Sequence, residues 1–344
     1  PIYFLIDVSE SMVGEPIEQV QDGMATIVKE LRTDPYSLEM VYISIIVFAG
    51  KAQKLSPLME FYHFYPPKFP VGGGTSLGNA LTFLMNDLDV SVQKTTLEEK
   101  GDWKPIIFLF TDGNPTDEYE KAFDRWNQKY RKSVNLVVVS IGDNADLNIL
   151  GKISDNVLQL QSTNVESFKR FFKWITASIK TSSISVNETN TDELQLAPIR
   201  EDGLSKIDLG KAKPVKIDDN FVVILAKCQT TQKHYLIKYQ RSFVPSEFLP
   251  NTNVLFYKLI GAFPVEKTYF ELSDGKQAIG KINTESLYGF PACPCCGNQY
   301  GFSACICGGI HCTNEKSTQT CPWCGQTAEY GLGGGNMDVS RTRG

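Results

Sequence analysis

The sequence predicts an α/β protein. Its expected architecture is a doubly wound, mostly parallel sheet followed by a small, mainly β region with a zinc-ribbon-like module. Three observations carry this. Apolar strand-like runs alternate with helix-length amphipathic segments over the first half. The pattern then changes to closely spaced strands. Eight of the nine cysteines fall between Cys293 and Cys324.

The elements follow in order. IYFLID, ending at Asp7, is continuously apolar, as a parallel strand buried on both faces should be. Residues 15–34 place Ile17, Val20, Met24, Ile27, Val28 and Leu31 at helical spacing, with Pro16 in the first turn. Residues 40–50 read as a second strand and 51–59 as a shorter edge strand. Residues 76–90 read as a helix. PIIFLFTD and NLVVVSIGD are strands separated by a helix over 117–132. A short helix at 146–154, a strand at 155–161 and a helix at 165–182 complete a domain over 1–182. Right-handed crossovers would cover both faces of its sheet.

The polar stretch 183–214 reads as a linker. FVVILAKCQ and HYLIKYQRS flank the turn TTQK and predict a hairpin. NVLFYKLIGAFPV and KTYFELSD read as further strands, giving a β-rich domain over 215–288. A cysteine module over 289–330 and a flexible glycine-rich tail over 331–344 follow.

The chain has 344 residues, 42% of them hydrophobic, so a sizeable core is available. The net charge of −5 gives no global basic field for nucleic acid. No apolar run is long enough to span a bilayer. The first residues already form a core strand rather than a leader, and clustered CxxC pairs favour metal over disulfides. The expected compartment is the reducing cytoplasm.

Asp7, Ser9 and Ser11 alternate at the end of the first strand. GGGTS puts Thr75 on a glycine-rich loop before a helix, and PIIFLFTDG puts Asp112 at the end of another strand. Ligands in open α/β sheets gather beyond the carboxyl ends of strands. Five oxygen donors on three loops suit a hard cation, Mg²⁺ or another divalent ion. Only Asp7 and Asp112 are charged, so the ion would stay electrophilic and accept a carboxylate from outside.

The set DxSxS at 7–11, a Thr on a glycine-rich loop and TDG at 111–113 resemble the von Willebrand factor A domain. The resemblance covers roughly 1–182. It implies a metal-ion-dependent adhesion site in which Ser9, Ser11 and Thr75 ligate directly and Asp7 and Asp112 act directly or through water. A protein partner's Glu or Asp would take the remaining position. Glu10, Glu15, Asp117 and Glu118 could tune that rim, but solvated helix-start acids are the favoured reading.

A Mg²⁺-dependent phosphohydrolase is the alternative, since those enzymes also open on a strand ending in Asp. They need a second Asp two residues on as general acid. Here that residue is Ser9, whose hydroxyl cannot protonate a leaving group at neutral pH. His63 and His234 read as structural, and no nucleophile–base pair is evident.

Cys293 and Cys296, followed by Gly297, form a CPxCG knuckle that Cys321, Cys324 and Gly325 repeat. Two such knuckles predict a closed Cys₄ zinc site. Cys305, Cys307, His311 and Cys312 lie between them. They could form a second zinc site or interleave with the knuckles. Cys295 reads as a spare thiol and Cys228 as an ordinary buried one. Few basic residues surround the module, so a zinc-ribbon nucleic-acid factor is a weaker alternative. The adhesion-type domain followed by an eight-cysteine tail resembles the TerY family of bacterial tellurium-resistance systems. That resemblance implies an adaptor beside a protein kinase and a metal-dependent protein phosphatase.

Overall fold

The computed structural model describes residues 1–96, 98–99, 101–112, 114–142, 145–160, 165–188, 196–197, 204–206, 220–245, 253–275, 280–314, 316–329 and 336–342. It divides into two compact units. One is Pro1–Phe69 with Thr75–Ile217, and the other is Pro70–Gly74 with Asp218–Gly344.

The first unit runs β1 (Ile2–Asp7), α1 (Glu15–Leu31), α2 (Pro35–Met40), β2 (Tyr42–Phe48), β3 (Ala52–Glu60), α3 (Leu77–Ser91) and β4 (Ile106–Thr111). It continues with α4 (Glu120–Lys129), β5 (Asn135–Ile141), α5 (Leu147–Gly151), β6 (Asn156–Leu160), α6 (Val165–Glu188) and β7 (Leu204–Lys206). The sheet order is β3-β2-β1-β4-β5-β6-β7. The strands from β2 to β6 in this order are parallel, and β3 and β7 close the edges antiparallel. The chain reverses its direction of progress between β1 and β4. That is the switch point where a doubly wound sheet offers a ligand crevice.

Alternation along the strands sorts the core. Tyr3, Leu5, Ile107 and Leu109 share one cluster with Leu81, Leu84 and Trp126 of α3 and α4. The intervening Phe4, Phe108 and Phe110 face the other way, as the period of two requires. Phe110 stacks on Phe172 of α6 at 5.9 Å and meets Phe171 edge-on at 5.8 Å. Helix α1 packs against α6 at Gly23, where an added Cβ would lie 1.9 Å from the Phe172 ring.

The predicted linker is partly structured. Helix α6 continues to Glu188, and Leu204–Lys206 pairs with β6. The remainder of 183–214, apart from residues 196–197, lies outside the described residues.

The second unit runs β8 (Phe221–Lys227), β9 (His234–Pro245), β10 (Asn253–Pro264), α7 (Thr268–Leu272), β11 (Gly280–Asn283) and β12 (Leu287–Tyr288). Then come β13 (Phe302–Ala304), β14 (Ile310–Cys312), β15 (Thr318–Thr320), β16 (Thr327–Glu329) and β17 (Asp338–Arg341). One sheet, ordered β12-β10-β9-β8-β14-β13, spans the β-rich and cysteine-rich regions. Strand β14 pairs in parallel with β8, so the separation at 288/289 is not a physical boundary.

Two expectations are corrected. KTYFELSD is not a strand: Thr268–Leu272 is a helix, with Tyr269 and Leu272 buried three residues apart on one helical face. The tail read as flexible carries a strand, and its residues 331–335 and 343–344 lie outside the described residues. Asp338–Arg341 pairs antiparallel with Gly280–Asn283, and Val339 is buried in the core of this unit.

Candidate metal centres

Strand β1 delivers Asp7 to the carboxyl edge of the first sheet and then turns. Asp7, Ser9, Ser11, Thr75 and Asp112 are all buried. The Ser9 N–H donates to Asp7 Oδ1 at 2.9 Å, an Asx-type turn that fixes the start of the loop. Ser9 Oγ and Ser11 Oγ lie 3.0 Å apart, and Ser11 Oγ donates to Asp112 Oδ1 at 2.8 Å. Thr111 Oγ1 donates to Asp7 Oδ2 at 2.6 Å. Four of the five predicted residues therefore form one hydrogen-bonded group.

Thr75 is held at the same edge through its backbone. Its N–H donates to Thr116 Oγ1 at 2.9 Å, and its carbonyl accepts from the Thr116 N–H at 2.7 Å. The next residue, Ser76, donates to the carbonyl of Ala49, just past β2. The loops after β2 and β4 thus hold Thr75 and Ser76 between them.

Burial is the main reason the Asp7 carboxyl is pushed up to about 6, against the hydrogen bonds from Thr111 and Ser9 that favour its anion. Desolvated carboxylates and hydroxyls gathered at one sheet edge are a donor set that a small divalent cation would stabilise. The rim acids behave differently from one another. Glu15 and Glu118 are exposed. Asp117 caps α3, accepting from the Asn79 and Gly78 N–H groups. Glu10 is only 1% exposed, so its reading as a solvated acid is wrong.

The second unit holds two groups of four thiols, each with all sulfurs within 4.8 Å of one another. The first is Cys228, Cys293, Cys296 and Cys312. The second is Cys305, Cys307, Cys321 and Cys324. The single site expected from Cys293, Cys296, Cys321 and Cys324 is therefore not what the fold assembles. The two knuckles go to different clusters. A separate second site on Cys305, Cys307, His311 and Cys312 does not form either; the other alternative, interleaving with the knuckles, is what the fold brings together, without His311 and with Cys228 added.

The reason lies in the sheet. His311 pairs with Lys227 across β14 and β8, which brings Cys312 level with Cys228 at the end of β8. Neighbouring residues on a strand point to opposite faces. His311 therefore cannot join Cys312 in one site, and its Nδ1 lies 3.0 Å from the Cys312 carbonyl oxygen.

Each thiol turn has the same backbone logic. The Cys293 and Cys321 N–H groups donate to Asn298 and Gln326 carbonyls, and their own carbonyls accept from Gly297 and Gly325. The CxC turn at Cys305 is one residue shorter, closing on Gly309 and Gly308. All three use a glycine at positive φ after the second thiol: Gly297, Gly308 and Gly325. The Cys228 turn repeats the pattern, with Lys233 and Gln232 in the same roles. Thr231 occupies the place of the second thiol, and its N–H points at Cys228 Sγ at 3.3 Å. Gln232 stands at φ 60°, where the other turns have glycine.

Cys228 was missed because a lone Cys in a hairpin lacks the CxxC signature. The available signal was CQTTQ, a knuckle with Thr and Gln in place of Cys and Gly.

Thiol ionisation is divided within each cluster. Burial opposes ionisation of Cys228, yet hydrogen bonds led by Thr231 bring it to about 7, while burial pushes Cys293 up to about 12. The Cys307 N–H and neighbouring thiols lower Cys305 to about 7. The Gly309 N–H acts to lower Cys307, but burial and the adjacent thiols carry it up to about 12. Four packed thiols cannot all lose their protons unaided. A tetrahedral Zn²⁺ matches both the donor type and the count. Cys295 stands outside both groups.

Comparison with known proteins agrees with this division. Residues 2–175 match the von Willebrand factor type A domain model, and residues 218–344 match the TerY-C metal binding domain model. Among curated proteins, inter-alpha-trypsin inhibitor heavy chain H1 of Bos taurus is 26% identical over 161 residues, covering 44% of this chain and 17% of that protein. Heavy chain H6 of Homo sapiens is 26% identical over 164 residues, covering 44% of this chain and 12% of that protein. The chain thus spans less than a fifth of these relatives. Among solved structures, a von Willebrand factor type A protein from Catenulispora acidiphila is 14% identical with a TM-score of 0.38, covering 79% of this chain and 67% of that one. Proximal thread matrix protein 1 from the mussel byssus, with a zinc-occupied MIDAS motif, is 16% identical with a TM-score of 0.38, covering 53% of this chain and 45% of that one.

Proposed function

Because the chain belongs to the von Willebrand factor type A family and carries a TerY-C metal binding domain behind that fold, we propose that it is a non-enzymatic adaptor. Its Mg²⁺ site would capture an acidic side chain of a protein partner. The observation that carries this reading is the buried Asp7–Ser9–Ser11–Asp112 hydrogen-bonded group at the carboxyl edge of the sheet. The hydroxyls of Ser9, Ser11 and Thr75 add no charge and only two carboxylates are at hand, so a bound Mg²⁺ would stay electrophilic. A partner's carboxylate then gains a full electrostatic contact at a desolvated ion.

The system in which it works is taken to be tellurium resistance or a related stress response. The partners are taken to be a protein kinase and a metal-dependent protein phosphatase, and the compartment the cytoplasm. Among the described residues no helix is long and apolar enough to cross a membrane. The two cysteine clusters are taken as closed structural Zn²⁺ sites, since four thiolates leave no position for a substrate.

Partner capture from lysate tests the reading. It should fall when EDTA is added and when Asp112→Ala is introduced, with the fold retained. EDTA would also strip zinc, so the variant is the decisive arm. Undiminished capture by the variant would leave the metal without a role in docking.

A further inference from the structure

The glycine-rich loop divides at one peptide bond. Pro70–Gly74 belongs to the second unit, and Thr75, the next residue, belongs to the first. A residue placed by the second unit is therefore joined directly to a predicted cation ligand. Gly74 makes that step at φ 87°, in the left-handed region that glycine enters without strain.

Within the second unit, the loop is fastened by a side chain 200 residues further on. The Gly73 N–H donates to Ser273 Oγ at 2.8 Å. Ser273 directly follows α7 and is itself fixed there. Its Oγ donates to the Tyr269 carbonyl at 2.6 Å, and its N–H donates to the same oxygen at 3.0 Å. The hydroxyl thus accepts from the loop and donates to its own helix, using both of its functions.

Helix α7 is linked in turn to the thiol turn at Cys321–Cys324. Phe270 meets His234 edge-on at 4.8 Å, and His234 meets Trp323 edge-on at 5.2 Å. The Val265 N–H donates to the His234 carbonyl at 3.1 Å, which ties the start of β9 to the chain entering α7. Trp323 stands between two thiols of the second cluster. Its indole N–H donates to the Ile310 carbonyl at 2.6 Å, and its backbone N–H points at Cys321 Sγ at 3.4 Å. Gly309 leaves the ring its room, since an added Cβ would lie 2.4 Å from it. These contacts, all inside the second unit, run without a gap from the second thiol cluster to Gly73.

We propose that Ser273 is a positioning residue for the cation site. Through Gly73 and Gly74 it sets where Thr75 stands, and zinc at the second thiol cluster sets where Ser273 stands. The inference rests on the cation-dependent docking proposed above. The element with two arrangements is the Cys321–Cys324 turn, closed around zinc or open without it. Closure fixes Trp323, and Trp323 supports His234, Phe270 and α7. Thr75 is placed through its backbone, so a shift of the loop reaches it directly. Linkage makes the effect reciprocal: a cation on the first site would tighten zinc on the second cluster by the same factor.

Mn²⁺ titration of the full chain, followed by electron paramagnetic resonance, tests this. Ser273→Ala should weaken Mn²⁺ binding at least about fivefold, with two zinc ions still bound and both melting transitions in place. Ser273→Thr keeps the hydroxyl and should restore the wild-type affinity. Cys324→Ser, which gives up the second zinc, should weaken Mn²⁺ by the same factor as Ser273→Ala. Combining the two should cost nothing further, because both act on one link. Losses that multiply in the double variant overturn the link to zinc, and an equal loss in Ser273→Thr overturns the role of the hydroxyl. A Mn²⁺ site lost in Asp112→Ala but indifferent to Ser273→Ala overturns this inference alone. A wild-type chain that binds no Mn²⁺ overturns the docking function and this inference with it.

Discussion

Asp7 shows how a single residue links the fold to its proposed chemistry. Burial raises its carboxyl from 3.8 to about 6, so the ion-free first unit is most stable with Asp7 protonated. That contribution is complete below pH 3.8 and is lost as pH rises through about 6. A bound divalent cation reverses the preference by stabilising the anion. Thermal melting with and without Mg²⁺ should therefore show stabilisation that is large at pH 7 and fades below about 6, with Mg²⁺ affinity falling about tenfold per pH unit there. The Cys228 turn makes a second residue-scale case. Cys228→Ser should reduce bound zinc by one ion per chain from two, whereas Cys295→Ser should leave the count unchanged, as measured by metal analysis of the purified variants. Gln232 holds a positive φ that costs about 1 kcal/mol in a non-glycine residue. Gln232→Gly should raise the melting temperature of the second unit.

At the scale of elements, the packing of α1 on α6 is controlled by one absent side chain. Gly23→Ala would gain up to about 1 kcal/mol of helix propensity. The Cβ would also drive into the Phe172 ring, an overpacking cost of about 1–3 kcal/mol. Overpacking wins, and denaturant unfolding should show net destabilisation. The first-unit elements were legible because their periodicities are strong: IYFLID and PIIFLFTD are apolar throughout, and α1 repeats at helical spacing. The grouping of Asp7, Ser9, Ser11 and Asp112 was legible for the same reason, since these residues stand at or just beyond the ends of two such strands. The thiol pairing was legible only as one of two alternatives: interleaving with the knuckles was open beside a separate second site, and neither included Cys228. Sequence distance groups Cys293 and Cys296 with the similar knuckle at 321–324, but long-range pairing of β14 with β8 decides which sulfurs meet. KTYFELSD is short, with apolar residues compatible with either period, and tertiary burial of Tyr269 and Leu272 settles it as a helix. The tail strand was hidden because glycine-rich composition says nothing about where its last residues dock.

At the scale of the whole molecule, the two units carry two kinds of candidate metal site, oxygen donors in one and thiols in the other. The first has apolar packing on both faces of its sheet, so we expect it to fold without an ion. The second sets its two thiol clusters at the turns between its strands, so bound zinc would be expected to stabilise clusters and strands together. Removing zinc should abolish the folded signal of the second unit and leave the first unit's unfolding transition in place, as followed by calorimetry. In the first unit, the proposed docking requires that a divalent cation bind at Asp7, Ser9, Ser11, Thr75 and Asp112 and keep a position open for a carboxylate from outside. Water-proton relaxation with Mn²⁺ as probe reads both parts directly in the zinc-loaded chain. The account predicts one bound Mn²⁺ with exchangeable water, loss of that ion in Asp112→Ala, and displacement of the water by a glutamate-bearing peptide. Equal Mn²⁺ binding by wild type and Asp112→Ala, or a bound ion whose water no carboxylate displaces, would contradict it.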